Sequence, residues 1–141
     1  MIDKNFLKTL TILYIEDDDT TREKLLLVLK RFFKEIITAK NGEEGYIRFH
    51  EAEISNNSID AIISDINMPK MNGIEFLRTI RDHDEHRESV VFMFTTSTQE
   101  VDKKNAYLYN VAGYIAKADY KDSLKKVINL IETYRSIIHL P

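Results

Sequence analysis

The sequence predicts an α/β fold, a doubly wound (βα)5 three-layer sandwich built on a five-stranded parallel sheet, and two observations carry that prediction. Short apolar runs alternate five times with longer stretches of helical spacing, the order that βαβ units produce. The fourth run, Val90-Val91-Phe92-Met93-Phe94, is apolar throughout, as a strand covered by helices on both faces must be. A length of 141 residues fits one domain, read as a single unit over 1–141 with its core at about 9–134. Hydrophobic residues make up 43% and charged residues 30%, enough apolar material for a packed interior. Twenty Lys and Arg against 23 Asp and Glu leave a net charge of −3 and no long basic run, so nucleic acid is not an expected partner. With no cysteine there is neither a disulfide framework nor a thiolate metal site, which fits a reducing compartment. The N-terminus lacks an apolar leader core, and no apolar stretch approaches the ~20 residues of a membrane span. A cytoplasmic location without membrane contact is the expectation.

The first strand, Thr11-Ile12-Leu13-Tyr14-Ile15, stops at four successive acids, Glu16 to Asp19. Thr20 with Glu23 three positions on reads as a capping box for the helix that follows, whose Leu25, Val28, Leu29 and Phe32 form one apolar face. Ile36 to Ala39 makes a second strand, and Asn41-Gly42 marks the turn into a second helix from about Glu43. That helix ends in the polar loop Ser55-Asn56-Asn57-Ser58. The third strand, Ala61-Ile62-Ile63-Ser64, meets Asp65, and the loop Asn67 to Gly73 leads into a helix through Ile74, Leu77 and Ile80. After the fourth strand come Thr95-Thr96-Ser97 and a helix from about Gln99 to Asn110. The fifth strand, Gly113-Tyr114-Ile115-Ala116, precedes Lys117 and a last helix with Leu124, Val127, Ile128 and Ile131 on one face. The right-handed crossover rule limits five such units to a few topologies, of which the flavodoxin-like one is the choice made here.

Ligands of an open parallel sheet bind beyond the carboxyl ends of its strands. Glu16 and Asp17 follow strand one, Asp65 follows strand three, Thr95 strand four and Lys117 strand five, so distant positions converge on one edge. Three carboxylates held together repel unless a cation intervenes, and Mg²⁺ takes oxygen ligands with water and phosphate completing its octahedron. Glu16, Asp17 and Asp65 therefore suggest a Mg²⁺ site. Three negative charges, a divalent cation and the Lys117 ammonium cancel and leave the edge suited to a phosphoryl group. Phosphoryl transfer is the implied chemistry.

The pattern Ile12-Leu13-Tyr14-Ile15-Glu16-Asp17-Asp18, then Asp65-Ile66-Asn67-Met68-Pro69-Lys70-Met71-Asn72-Gly73, then Thr95 and Lys117, closely resembles the receiver domains of two-component response regulators. The resemblance runs from about Thr9 to about Tyr134. It implies that Asp65 is the phosphoacceptor, attacking the phosphorus of a phosphohistidine on a sensor kinase or a histidine phosphotransfer protein. It implies further that Asp17 holds Mg²⁺ directly, that Glu16 acts through a bound water, and that Asn67 supplies a backbone carbonyl. Lys117 would serve the phosphoryl oxygens, and the Thr95 hydroxyl would hydrogen-bond one of them. Tyr114 matches the aromatic whose rotation follows that hydroxyl, switching the surface around the fourth helix, fifth strand and fifth helix. By this likeness the chain is a signalling switch that controls a protein partner, and not an enzyme beyond its own phosphorylation and dephosphorylation. Only 24 residues follow Lys117, all used by the last helix, so no output domain is expected.

Two positions depart from the family pattern. Ala118 stands where a proline usually aims the lysine through a cis bond, which without proline costs ~2.5–4 kcal/mol. Thr96 stands where a very small residue is usual and would narrow access for the phosphodonor. The family's dephosphorylation rate is associated with the positions of Asn67 and Ser97. Two other readings stay open: a phosphate-independent interaction module on the same fold, and a haloacid-dehalogenase-like phosphatase using Asp17 as nucleophile and Asp19 as acid/base in a D-x-D-x-T pattern. His83 and His86 at i, i+3 read as a solvated helix end rather than a metal site. On the last helix Leu130, Tyr134, Ile137 and Ile138 form a second stripe, packed on its own domain or docking a partner or a second copy as a homodimer. Tyr107, Tyr109 and Tyr120 suit either arrangement.

Overall fold

In the computed structural model, which describes residues 4–82, 89–118 and 120–137, the elements run α1 (Lys4–Leu7), β1 (Thr11–Ile15), α2 (Asp19–Leu29), β2 (Glu35–Ala39), α3 (Gly42–Ile54), β3 (Ala61–Ser64), α4 (Gly73–Asp82), β4 (Val91–Thr95), α5 (Glu100–Leu108), β5 (Gly113–Ala116) and α6 (Tyr120–Ile137). The five strands are all parallel, in the order β2-β1-β3-β4-β5. That is the flavodoxin-like order, with its switch point between β1 and β3.

The period-2 alternation of the strands divides the core into two halves. Ile12 and Tyr14 of β1, Ala61 and Ile63 of β3, and Phe92 and Phe94 of β4 pack with Leu25 and Leu29 of α2 and with Leu124, Val127, Ile128 and Ile131 of α6. Leu13 and Ile15, Ile62, and Val91 and Met93 point the other way, onto Phe49 of α3, Phe76, Leu77 and Ile80 of α4, and Ala106 of α5. Each of these strands is thus covered on both sides, which is why β1, β3 and β4 read as continuous apolar runs.

Three details differ from the expectations. A sixth helix, α1, precedes the first strand; it is too short for any periodicity and exists because Leu7 and Leu10 are buried beside Phe33. The cap of α2 is Asp18, not Thr20. Its carboxylate accepts from the Thr21 amide at 2.8 Å and the Thr21 hydroxyl at 2.6 Å, so the helix starts two residues earlier and Thr20 lies within its first turn. The box pattern occurs instead at α4, where the Glu75 amide donates to Asn72 Oδ1 at 2.8 Å and the Asn72 amide to Glu75 Oε1 at 3.0 Å. Thr95 is the last residue of β4 rather than the first beyond it, paired with Ala116.

The Thr21 bonds hold the Asp18 carboxyl below its ordinary pKa of 3.8. A carboxyl depressed by folding adds stability above its unfolded pKa and loses it as pH falls through the folded value. Asp18→Ala is therefore expected to lower the melting midpoint at pH 7, with the gap to wild type closing below about pH 3.8, as thermal melts over a pH series would measure.

The predicted face of α6 is wholly buried, while Leu130 is 43% exposed. The side chains of Tyr120, Tyr134 and Ile137, and residues His83, His86 and Ile138, lie outside those described. No helix among the described residues is long and apolar enough to cross a membrane.

Candidate functional site

The carboxyl edge of the sheet is built by the last rungs of the strand ladders. The Glu16 amide donates to Ala39 O at 3.0 Å, the Asp65 amide to Ile15 O at 3.0 Å, and the Lys117 amide to Thr95 O at 2.9 Å. Glu16, Asp65 and Lys117 are therefore each held by backbone pairing one position past their strand, where a side chain can turn over the sheet end.

Three of them meet directly. Lys117 Nζ contacts Glu16 Oε1 and lies 3.3 Å from Asp65 Oδ2, although 101 and 52 residues separate it from these partners. The ammonium also sits 5.5 Å from the centroid of the Phe94 ring, a cation–π contact beneath the cluster. The other Asp65 oxygen, Oδ1, accepts the Ile66 amide at 2.7 Å, so the two carboxylate oxygens have different partners. Asp17 is exposed, yet it offers a carboxylate oxygen within 4.8 Å of oxygens from Glu16 and Asp65. Every peptide bond among the described residues is trans, the Lys117–Ala118 bond included, and the lysine still reaches both acids.

One ammonium among three carboxylates leaves a net charge of −2 in a largely buried edge. Burial, reinforced by the Asp65 charge, holds the Glu16 carboxyl above the usual carboxylate range despite its bond to Lys117. Burial pulls the Lys117 ammonium down, but Asp65 and Glu16 outweigh it and hold its pKa above that of a free lysine. The donor set is all oxygen and the uncompensated charge is two, so these residues fit a hard divalent cation such as Mg²⁺.

Thr95 and Tyr114 join through Ser97 rather than to each other. Thr95, fully buried, accepts the Ser97 amide at its Oγ1 at 3.1 Å, and the Tyr114 hydroxyl donates to Ser97 O at 3.3 Å. Burial raises the Tyr114 phenol above its ordinary pKa. Ser97 Oγ in turn donates to Asp102 Oδ2 at 2.6 Å, tying this loop to the first turn of α5. Tyr114 borders a cleft of about 240 Å³ between this loop and β5, with Gln99, Lys103 and Ala116 on its walls. Asn67 and Thr96 are exposed at the rim. Asp19, the acid/base of a D-x-D-x-T reading, pairs with Arg22 and is not one of the three acids that cluster, Glu16, Asp17 and Asp65.

Two contributors had no role assigned from the sequence, Gly73 although it closes the motif after Asp65 and Arg22 outside any motif. Gly73 opens α4 with its amide on Ile66 O at 2.9 Å, and a Cβ there would stand 2.1 Å from Asp65 O. Only the glycine pattern after Asp65 could have marked it. Arg22 donates through Nη1 to Glu16 O at 2.8 Å, and nothing but its position one turn into α2 signals it.

The response regulator receiver domain model matches residues 12–129. The transcriptional regulatory protein SrrA of Staphylococcus aureus is 31% identical over 106 residues, which cover 75% of this chain and 41% of SrrA. The chain spans between 12% and 41% of the length of the curated relatives it matches first. Among solved structures, the chemotaxis response regulator CheY4 of Vibrio cholerae superposes with a TM-score of 0.75 at 26% identity, covering 87% of this chain and 98% of that one. A chain of the CheX–CheY–BeF3–Mg²⁺ complex of Borrelia burgdorferi gives 0.74 at 27% identity, over 92% and 94%.

Proposed function

Because the chain belongs to the response regulator receiver domain family, a family of signalling modules and not of classical enzymes, we propose that it is switched by phosphorylation of Asp65, with a sensor histidine kinase or histidine phosphotransfer protein as donor. The observation that carries this reading is the Asp65 carboxylate set between the Lys117 ammonium and the oxygens of Glu16 and Asp17. In the transfer an Asp65 oxygen attacks the phosphorus of a phosphohistidine; the O–P bond forms as the P–N bond breaks, and the imidazole leaves with the electron pair of that bond and takes up a proton.

Glu16, Asp17, Asp65 and the Asn67 backbone carbonyl would hold Mg²⁺, which when bound neutralises charge on the phosphoryl oxygens. Lys117, already at Asp65, exchanges part of its contact with the two carboxylates for a phosphoryl oxygen. The Thr95 hydroxyl keeps the Ser97 amide on its lone pair and has its proton free to donate to the same group. Movement there passes through Ser97 to Tyr114 and α5, so the partner surface is α5, β5 and α6, where Val101, Tyr107 and Leu108 of α5 are exposed. A protein partner, or a second copy meeting the last helix, reads that surface. The transfer partners and the cysteine-free composition both support a cytoplasmic location.

Intact mass after incubation with acetyl phosphate and Mg²⁺ tests the reading. One phosphoryl adduct is expected, lost on removal of Mg²⁺ and in Asp65→Asn and Asp17→Ala. A wild type that neither labels nor responds to beryllofluoride would favour the phosphate-independent module.

A further inference from the structure

The four acids from Glu16 to Asp19 are crowded between a buried strand end and a helix start, and each is committed differently. Glu16 is buried on Lys117, Asp17 faces the cluster, Asp18 caps α2, and Asp19 pairs with Arg22. Arg22 closes this loop. One arm of its guanidinium, Nη1, donates to the main-chain carbonyl of Glu16 at 2.8 Å, and the other, Nη2, is taken by Asp19. The side chain is 14% exposed while Asp19 is 77% exposed, so the fork is a held, inward element and not a surface ion pair.

The Glu16 carbonyl belongs to the Glu16–Asp17 peptide group. The peptide groups on either side of that unit are held: the Glu16 amide bonds Ala39 O at 3.0 Å, and the Asp18 amide bonds Glu16 Oε2 at 3.2 Å. Arg22 holds the carbonyl oxygen between them at 2.8 Å, and the next side chain along the main chain is that of Asp17. We propose that Arg22 is a positioning residue for the acidic cluster, aiming Asp17 at a bound divalent cation. A lysine cannot replace it, because one ammonium does not reproduce a planar fork with two divergent donors. This inference rests on the reading of Glu16, Asp17 and Asp65 as a Mg²⁺ site.

The sign of one measurement separates positioning from charge. By Coulomb's law alone, deleting a cation beside a divalent-ion site tightens ion binding, and Arg22→Lys leaves it unchanged. Positioning predicts the reverse, a loss of about 10-fold or more in affinity in Arg22→Ala and a clear loss in Arg22→Lys, as for other groups that orient metal ligands. The test titrates the purified chain with MgCl2 alone, following heat and the backbone amide shifts of Asp17 and Asp65, beside a thermal melt without metal. Weaker binding in both variants, with the Asp17 amide already displaced before metal is added, is the expected result. Wild-type affinity or tighter binding in either folded variant overturns the inference and leaves the receiver reading intact. A wild type that binds no Mg²⁺ overturns both. Should Arg22→Ala fail to fold, Arg22→Lys, which keeps charge and stem, decides the question by itself.

Discussion

Lys117→Met is expected to destabilise the chain at neutral pH, to recover much of that loss when Mg²⁺ is added, and to label with acetyl phosphate far more slowly. The lysine is the cation that lies directly against two buried carboxylates, with its own side chain 5% exposed and that of Glu16 3% exposed. Taking one partner from a buried ion pair costs about 3–5 kcal/mol, chiefly because the other charge is left without compensation. Methionine keeps an unbranched stem of similar length and loses only the ammonium, with its contact over the Phe94 ring, so the loss reports charge rather than volume. A divalent ion among Glu16, Asp17 and Asp65 restores compensation, and at about 100 times its dissociation constant adds back about 2.7 kcal/mol. The rate falls for a separate reason: one cationic donor to the phosphoryl oxygens is gone, and losing one such preorganised group typically costs about 10²–10³-fold. Denaturant melts with and without MgCl2, and a labelling time course, measure both. A variant as stable as wild type and indifferent to Mg²⁺ would mean that Lys117 does not balance these acids.

Gly73→Ala is the second large effect. Its Cβ would fall 2.1 Å from the Asp65 carbonyl oxygen and 3.0 Å from Ile66 Cα, which are main-chain atoms that cannot swing aside. The φ of Gly73 is negative, so the requirement for glycine is close approach, not backbone handedness. The start of α4 must move off the segment that follows β3, breaking the Gly73 amide bond to Ile66 O and displacing Asp65 from Lys117. Overpacking against main chain costs about 3 kcal/mol or more, a fall in melting midpoint on the order of 10 °C. Labelling of Asp65 drops with it, even well below that midpoint. Gly45→Ala is the control: there the nearest atom is the end of the Ile15 side chain at 2.5 Å, which can adjust, so stability falls while labelling of the folded fraction persists.

The fold was legible because both faces of β1, β3 and β4 are covered, which makes the strands stand out as apolar runs, and because α6 keeps its four core residues at helical spacing. The misplaced cap at α2 has a physical origin. Thr20 and Glu23 fit the box pattern, but Asp18 stands three residues before Thr21 and offers a charged acceptor to both the amide and the hydroxyl of that residue. Helix α1 has no local signal; tertiary burial of Leu7 decides it. The acids and the lysine were legible as strand-end residues, since sheet topology alone brings strand ends together. What binds them is not: the Lys117–Glu16 contact spans 101 residues, and the bonds from Arg22 to Glu16 O and from Ser97 to Asp102 involve residue types that occur on any surface.

The central claim is that Asp65 carries the phosphoryl group, and borohydride reduction after labelling tests it most directly. An acyl phosphate is reduced to an alcohol, which converts a phosphorylated aspartate into homoserine at its own position. Peptide mapping of the wild type treated with acetyl phosphate and Mg²⁺ is predicted to find homoserine at position 65, and no conversion when Mg²⁺ is withheld. Homoserine at position 17 or 19 instead, or conversion that persists in Asp65→Asn, would contradict the account.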